Sequence, residues 1–460
     1  MPWHEALPKI NMFSFHRLCA VLTAFLLCCG HAALLQASES HLVEGQTLND
    51  FLDAALLNNP QLQIAEEQLN ISSARKRAAT GQLLPQINAN ANLTDNTRNF
   101  SGLEQSFDGE RYSLQLTQTL FNWQAFASRR RANAAVNQAE AEYFYELAIL
   151  MTDVAERYFN VLQAQDALDS IASEQEAVQN QLEQVRSLYD RQLAQVTDLY
   201  QAQASTASVQ ADQLRLEAEL ALAKDALRSV AGIEVGELFR LQENVEVPPL
   251  QNSIQHWVQL ARENNPLIES RRHAVEVAEE NISEKQGAYM PRVSFIAQRQ
   301  DSNVGFDNAP QTRTDNTYFG VDVSIPLYAG GSNKAAVSEA RSQQNIAENE
   351  LRQVQLQTSE RVRGAYLQSQ ASESLVEAAE ILVQSTAVSA EAMQRGFSLG
   401  TVTSVDVLNS LRDQYRAERD LQRARYEQIK YLLLLKREAG TLSAEDLLEV
   451  SSWLQEAQDR

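Results

Sequence analysis

Cysteine is missing from this chain after residue 29; its three copies are Cys19, Cys28 and Cys29. No disulfide can brace the remaining residues, so packing and association must hold them together. Beyond the same point no run of about 18–20 apolar residues occurs, which excludes a membrane-spanning helix. A β-barrel is then the one way this chain could cross a bilayer. Positive charge is in deficit, with 39 Lys and Arg against 60 Asp and Glu and a net charge of −21. That excludes nucleic acid as a partner, because a grip on a phosphate backbone needs clustered Lys and Arg. It fits a soluble surface or an interior that attracts cations. Aromatics are only 7% of residues, too few for a large aromatic core, whereas the abundant Ala and Ser suit close helix-to-helix approach. His41, His256 and His273 are scattered, so no metal cluster is expected. Phosphate loops and nucleophile elbows are absent, and the carboxylates follow helix faces where charge is ordinarily solvated. Neither an enzyme nor a cofactor is expected.

What is present begins with an export signal. Leu18 to Cys29 is an apolar run with Thr23 its one hydroxyl residue, His16 and Arg17 precede it, and Ala37-Ser38 comes after it. This pattern predicts a signal peptide over residues 1–37, cut near Ala37, with Met12 better placed as a start than Met1. Leu27 before Cys28 and Cys28 before Cys29 are not the small residues that a lipoprotein signal requires. The remaining chain has ordinary hydrophobic (44%) and charged (22%) content, as a folded protein does.

The chain is written twice. Asn59-Pro60 returns as Asn265-Pro266, Leu84-Pro85 as Met290-Pro291, Leu120-Phe121 as Leu327-Tyr328, Tyr158 as Tyr366, Asp198 as Asp406, and Ala231-Gly232 as Ala439-Gly440. The nearly constant offset makes these weak matches a duplication. The expected division is 38–232 for copy one, 233–253 for a linker, 254–440 for copy two and 441–460 for a C-terminal segment. From Gln124 to Ala231 there is neither glycine nor proline, and from Ser332 to Ala439 no proline. Both stretches predict long helices. The turn Gly396–Thr403 divides the second, with Gly364 as the one weak point before it. The repeat places the matching reversal of the first at Arg191–Val196. Each copy then reads as an opening helix (Thr47–Leu83 in copy one), two strands, a long helix of about 100 Å at 1.5 Å per residue, and a return helix about half as long. An opening helix and a return helix stacked end to end would match one long helix.

The strands alternate with period two. Ile87, Ala89, Ala91 and Leu93 interleave with Asn88, Asn90, Asn92 and Thr94; after a polar loop at 99–109, Tyr112, Leu114, Leu116 and Leu120 share a face. Copy two repeats this with Val293, Phe295 and Ala297, a loop at 304–315, then Phe319, Val321, Val323, Ile325 and Leu327. About ten residues with an apolar face and aromatic ends fit a tilted outer-membrane strand. An ordinary two-sided antiparallel sheet fits as well. Four strands cannot close a barrel, so a membrane wall would need several chains.

Taken in order, NNP at each repeat start, LLPQ, LQLTQTLFN, YFNVLQA, SIPLYAGG, GFSLGTVTSVDVLNS and AGTLSAEDLL make the chain resemble the TolC family of outer-membrane efflux and secretion channels along essentially its whole mature length. The resemblance implies a mixed, mainly α fold. Duplicated helix hairpins of a homotrimer would form a periplasmic α-barrel below a 12-stranded barrel set in outer-membrane lipid, four strands per chain. Residues 234–253 and those after Thr441 would form an equatorial belt. It also implies a passive, tip-gated exit duct for efflux or type I protein secretion, joined through a periplasmic adaptor to an inner-membrane RND or ABC transporter. A periplasmic coiled-coil scaffold without a pore is the alternative, and the alternating strands discriminate against it.

The same resemblance assigns residues. Asp406 matches a position lining the constricted entrance, where copies would form a cation-attracting ring; the residues alone read it as a helix-end aspartate favoured by the dipole. The second acid of the family pattern is Asn409 here. Thr197 and Asp198 match a closing contact whose arginine and tyrosine partners are replaced by Val402 and Phe397; a helix cap explains Asp198 equally. Leu399, Gly400 and Thr401 match a tip where an adaptor docks, and their counterparts in copy one are Arg191, Gln192 and Leu193.

Overall fold

A computed structural model describes residues 45–455 apart from 243, 244, 246, 306 and 307; the expected signal peptide lies outside the described residues. Copy one runs α1 (Leu48–Asn58), α2 (Pro60–Gly81), β1 (Gln86–Phe100), β2 (Leu103–Asn122), α3 (Trp123–Asp190) and α4 (Val196–Ala231). After β3 (Arg240–Leu241), copy two repeats the order as α5 (Ile254–Asn264), α6 (Pro266–Gln286), β4 (Arg292–Val304), β5 (Pro310–Ser324), α7 (Ser332–Ser398) and α8 (Ser404–Ala439). A short α9 (Ala444–Ser452) and β6 (Leu454–Gln455) come last.

The opening helix is two helices rather than the single one expected. Proline disfavours the helical region for the residue before it, and Asn59 and Asn265 are extended, with ψ of 118° and 120°. Each then caps the next helix: Asn59 Oδ1 accepts from the amides of Gln61 and Leu62, and Asn265 Oδ1 from those of Leu267 and Ile268. The Asn-Pro pair therefore ends one helix and starts another in both copies, with proline at the position where its missing N–H costs nothing. Gly364 does not break α7, which is continuous through it.

The strands outrun the expected loops. Residues 99–109 continue the β1–β2 ladder to Phe100↔Leu103, and only Ser101 and Gly102, both at positive φ, make the turn. In copy two β4 runs to Val304 and β5 begins at Pro310, so strand takes up 310–315 of the second expected loop. Ile325 and Leu327 fall beyond β5, whose pairing stops at Ser324, next to a proline that cannot donate to a ladder. The four strands form one antiparallel sheet in the order β1-β2-β4-β5. Leu120 sits in a bulge, so Phe121 rather than Leu120 faces Val293.

The main core lies midway along α3. Phe51, Leu52, Tyr158, Phe159, Leu162, Leu227, Tyr426, Ile429 and Leu447 cluster there, and each full burial of such a side chain contributes about 1.5–3 kcal/mol. The segments flanking the copies wrap this core: β3 pairs with β6, and Gln46 bridges Leu238. The Tyr158 hydroxyl donates within reach of Gln46 O (3.1 Å) and Phe239 O (2.9 Å). Its repeat partner Tyr366 donates to Asn252 O at 3.4 Å. The duplicated tyrosine thus ties the helices to the segment around them in both copies.

Candidate functional site at the helical turns and the sheet

The two reversals are the same device built from different residues. After α3, the Gln192 amide donates to Tyr189 O (2.8 Å) and the Leu193 amide to Leu188 O (2.9 Å); after α7, the Gly400 amide donates to Phe397 O (3.0 Å) and the Thr401 amide to Gly396 O (2.9 Å). Both place one residue in the left-handed region, Gln192 at φ 64° and Gly400 at φ 74°, as a helix-ending motif of this kind requires. Glycine reaches that region freely and glutamine does not. Leu193 and Leu399 project from the turns, 71% and 78% exposed. Arg191, Gln192, Gly400 and Thr401 are exposed with them.

Asp198 and Asp406 hold equivalent places, three residues into their return helices. The Asp406 carboxylate accepts from the Thr403 hydroxyl (2.7 Å) and amide (3.0 Å), while Thr403 Oγ1 accepts from the Asp406 amide (3.3 Å). Those bonds, the hydroxyl first, hold the carboxyl below the usual aspartate range, so it is ionised at neutral pH. Asp198 accepts from the Gln195 amide at 3.3 Å, and Thr197 donates to Gln195 Oε1 at 3.3 Å. Among the described residues neither aspartate has a basic partner. Asn409 is exposed beside Asp406. Val402 folds over Gly396, where an added Cβ would meet its Cγ2 at 3.0 Å, and Phe397 is half-buried. Asp198 is bonded within its own turn, to Gln195; capping is the role that the single chain displays for both aspartates.

Sequence reading missed the bonds that join the two hairpins. Four polar contacts run antiparallel between α3 and α8: Thr152 with Arg437 (3.0 Å), Asn160 with Lys430 (3.0 Å), Asp166 with Tyr426 (2.6 Å) and Glu174 with Arg419 (2.7 Å). Glu174 is almost fully buried, its side chain 3% exposed. Burial pushes its carboxyl pKa up, against the opposing pull of Arg419. This ladder was hidden because its carboxylates look like those of any solvated helix face.

Far from the turns, the sheet separates two chemistries. Directly opposed residues share a face, so the register builds an apolar face from Ile87, Leu116, Ala297 and Phe319 in one row, with Phe295 beside Val321 and Val293 beside Val323. Leu93, Tyr112 and Leu114 alternate onto it. Asn88, Gln115, Gln298 and Tyr318 form a row on the other face, and Asn90, Ser113, Gln300 and Asn316 the next. The apolar face is uncovered: Ile87, Phe319 and Val321 are 67%, 72% and 60% exposed. An apolar patch of this size marks an interaction with protein or lipid. No described helix is long and apolar enough to cross a membrane, which says nothing of strands.

Comparison with known proteins agrees with this architecture. The sequence model of the outer membrane efflux protein family matches residues 51–233 and 257–441. The chain is similar to outer membrane protein TolC of Vibrio cholerae, 30% identical over 422 residues that cover 91% of this chain and 96% of that protein. It is also similar to alkaline protease secretion protein AprF of Pseudomonas aeruginosa, 26% identical over 411 residues, 87% of this chain and 85% of that one. Among solved structures, the outer-membrane channel OprN shares the fold with a TM-score of 0.75 at 18% identity, covering 86% of this chain and 90% of that chain.

Proposed function

The chain belongs to the outer membrane efflux protein family, and from that premise we propose how this sequence builds its duct. As a member it is an outer-membrane channel for efflux or type I secretion. Three copies close into a homotrimer whose sheets make a twelve-stranded barrel, apolar face to lipid and amide-rich face to the lumen. Below it the helices make a cylinder that reaches into the periplasm.

The observation that carries this reading is the pairing between copies. Within the chain, β2 of copy one pairs with β4 of copy two, while β1 and β5 are left as long unpaired edges. Such edges seek partners, and the same antiparallel pairing between β5 of one chain and β1 of the next satisfies both. Closure also removes the exposed apolar face from water, because a closed barrel can sit in a bilayer. A pore-free coiled-coil scaffold has no use for that face.

At the other end the turns form the entrance. Asp406, ionised and exposed, supplies a ring of carboxylates that draws cations. Asn409 removes the second ring, so the site is weaker than a paired one. Thr197, Asp198, Phe397 and Val402 cannot supply an arginine–tyrosine closing network, and the α3–α8 ladder ending at Glu174–Arg419 holds the hairpins together instead. Leu399, Gly400 and Thr401, with Arg191, Gln192 and Leu193, present the tips to a periplasmic adaptor, which couples the duct to an inner-membrane RND or ABC transporter.

Single-channel recording from detergent-extracted outer membranes tests this. Purified protein should insert and conduct, and Asp406→Asn should relieve block by multivalent cations. A freely soluble protein without conductance would refute the duct; block unchanged in the variant would remove Asp406 from the ring.

A further inference from the structure

We propose that the start of α3 is a clamp for anionic phospholipid headgroups on the helical side of the barrel. The inference rests on the reading of the sheet as a membrane wall. It begins from charge. Residues 68–85 and 122–139 flank the sheet in copy one and hold six basic residues, Arg75, Lys76, Arg77, Arg129, Arg130 and Arg131, with no acidic one, in a chain of net charge −21. These six residues stand where the apolar face ends, and although Arg130 and Arg131 are paired with Glu280 and Glu284 of α6, Arg129 and Arg77 are left, among the described residues, to meet an anion.

Geometry places part of this set on the lipid side. Phe121 lies on the apolar face, opposite Val293. Its ring packs against Phe126, centroids 6.4 Å apart, so Phe126 marks the face of α3 that continues the apolar wall. Arg129 and Arg130 stand three and four residues past Phe126 and share its face. Arg130 stacks over the exposed Trp123 ring, 5.2 Å from its centroid, and bonds Glu280 at 2.9 Å. Arg129 is exposed and, among the described residues, has no acidic partner; the same holds for Arg77 near the end of α2. Arg129 is seven positions past the strand end at Asn122, about 10 Å along the helix. The order down the wall is therefore apolar strand, aromatic girdle, guanidinium.

That order matches hydrocarbon, interface and phosphate. Trp and its neighbours favour the interface, Arg presents a planar fork to phosphate oxygens, and basic side chains beside an anionic leaflet gain from its surface potential. Aromatic rings stack on sugars as well as on lipid, so what favours lipid is the continuity of this cluster with the apolar strand face, which a carbohydrate polymer would leave in water. Copy two lacks the device: at the repeat offset its junction offers Gly330, Asn333, Ala336 and Val337. The clamp is thus a property of one copy, not of the duplicated fold.

The test uses the full chain with Trp3, Trp257 and Trp453 changed to Phe, leaving Trp123 as reporter, in vesicles of phosphatidylcholine and phosphatidylglycerol. Brominated phosphatidylglycerol should quench Trp123 with a preference of about fivefold or more over brominated phosphatidylcholine, weakened by salt. Arg77→Gln with Arg129→Gln, which breaks no ion pair, should reduce the preference, and adding Arg130→Gln should abolish it. Equal quenching by the two lipids, or a preference unchanged in the triple variant, overturns the clamp alone. No quenching by either lipid overturns it together with the membrane placement of the sheet. Binding of purified peptidoglycan that is lost in the triple variant, with lipid parity in the parent, overturns the choice of lipid as partner.

Discussion

The long helices of the two copies are nearly the same length and almost opposite in burial. Over its 68 residues α3 buries twenty-one side chains, whereas α7 buries eight in 67. The difference comes from neighbours. α3 packs against α2 and α4 of its own copy and against α6 and α8 of the other, but α7 packs chiefly against α5, α6 and α8 alone. Yet α7 is not a polar helix on its open side. Ile346, Leu356, Leu367, Leu375 and Val388 are 53–64% exposed and, at 100° per residue, cluster opposite Ala340, Val362, Ala365 and Ala379, which are buried. A helix with two apolar faces is built for two sets of neighbours. The burial of α3 within one chain is therefore a template for what α7 would gain from α2 and α4 of the next chain in the proposed ring.

The sharpest break of this comparison is to charge the open face of α7. Leu367→Asp with Val388→Asp should leave the isolated chain helical, since neither side chain is covered, but abolish the assembled state. Covering each such side chain is worth about 1.5–3 kcal/mol, repeated at every interface of the ring, so assembly should fall by orders of magnitude. Light-scattering mass in detergent reads this directly. Val362→Asp, on the covered face, should instead unfold the chain. An assembled double variant would mean that α7 faces water and that the likeness to α3 ends at length.

A second contrast is between the ladder that joins α3 to α8 and the ordinary surface ion pairs. Arg419→Ala would leave Glu174 buried without its partner, at a cost of about 3–5 kcal/mol. Exposed pairs such as Arg215–Asp212 should cost under about 1 kcal/mol. The pH dependence comes from the raised Glu174 pKa. In the window above the unfolded glutamate value the folded state holds more protons, so stability falls as pH rises through it. Removing Arg419, which pulls that pKa down, should steepen the fall, and Glu174→Gln added to Arg419→Ala should flatten it. Urea denaturation across the acid range measures both slopes; parallel curves for parent and Arg419→Ala would show that the pair is not coupled as its geometry requires.

These contrasts also mark what the residues alone could reveal. The duplication and the reversal after Asp190 were legible because glycine and proline are absent for so long that only the repeat offset could place a turn, and it falls at 191–195. The apolar face of the sheet was legible for the same kind of reason, a period of two between asparagines. Past Thr94 and before Tyr112 that signal vanishes: the face of Ile87 turns polar with Asp95, Thr97 and Asn99, Leu103 and Phe107 fall on the asparagine face instead, and strand looks like loop. The helix break at Asn59-Pro60 was visible as a repeated pair but not as a capping unit. Glu174 was unreadable, because only the placement of α8 turns one carboxylate among many into a buried one. For Asp198 and Asp406 the chain alone displays capping; the part in an entrance proposed for them rests on the proposed ring.

The finest contrast lies in the turns themselves. Gln192 and Gly400 occupy one backbone conformation, but only glycine does so without strain. The two turns should therefore answer opposite substitutions in mirror image. Gln192→Gly relieves strain of about 1–2 kcal/mol, while the freer unfolded chain takes back about 0.4–1 kcal/mol. Gly400→Ala reverses both effects, and at positive φ the strain outweighs the stiffer unfolded chain. Each net change should be about 1 kcal/mol, a gain in the first turn and a loss in the second. Because a helix end can open without the rest of the chain, amide exchange reports these effects better than melting does. The Leu193 amide, bonded to Leu188 O, should slow about fivefold in Gln192→Gly, and the Thr401 amide, bonded to Gly396 O, should quicken about fivefold in Gly400→Ala. Equal and unchanged exchange at both would mean that the turns tolerate any residue. The glycine of copy two would then be kept for what touches the turn, not for the turn.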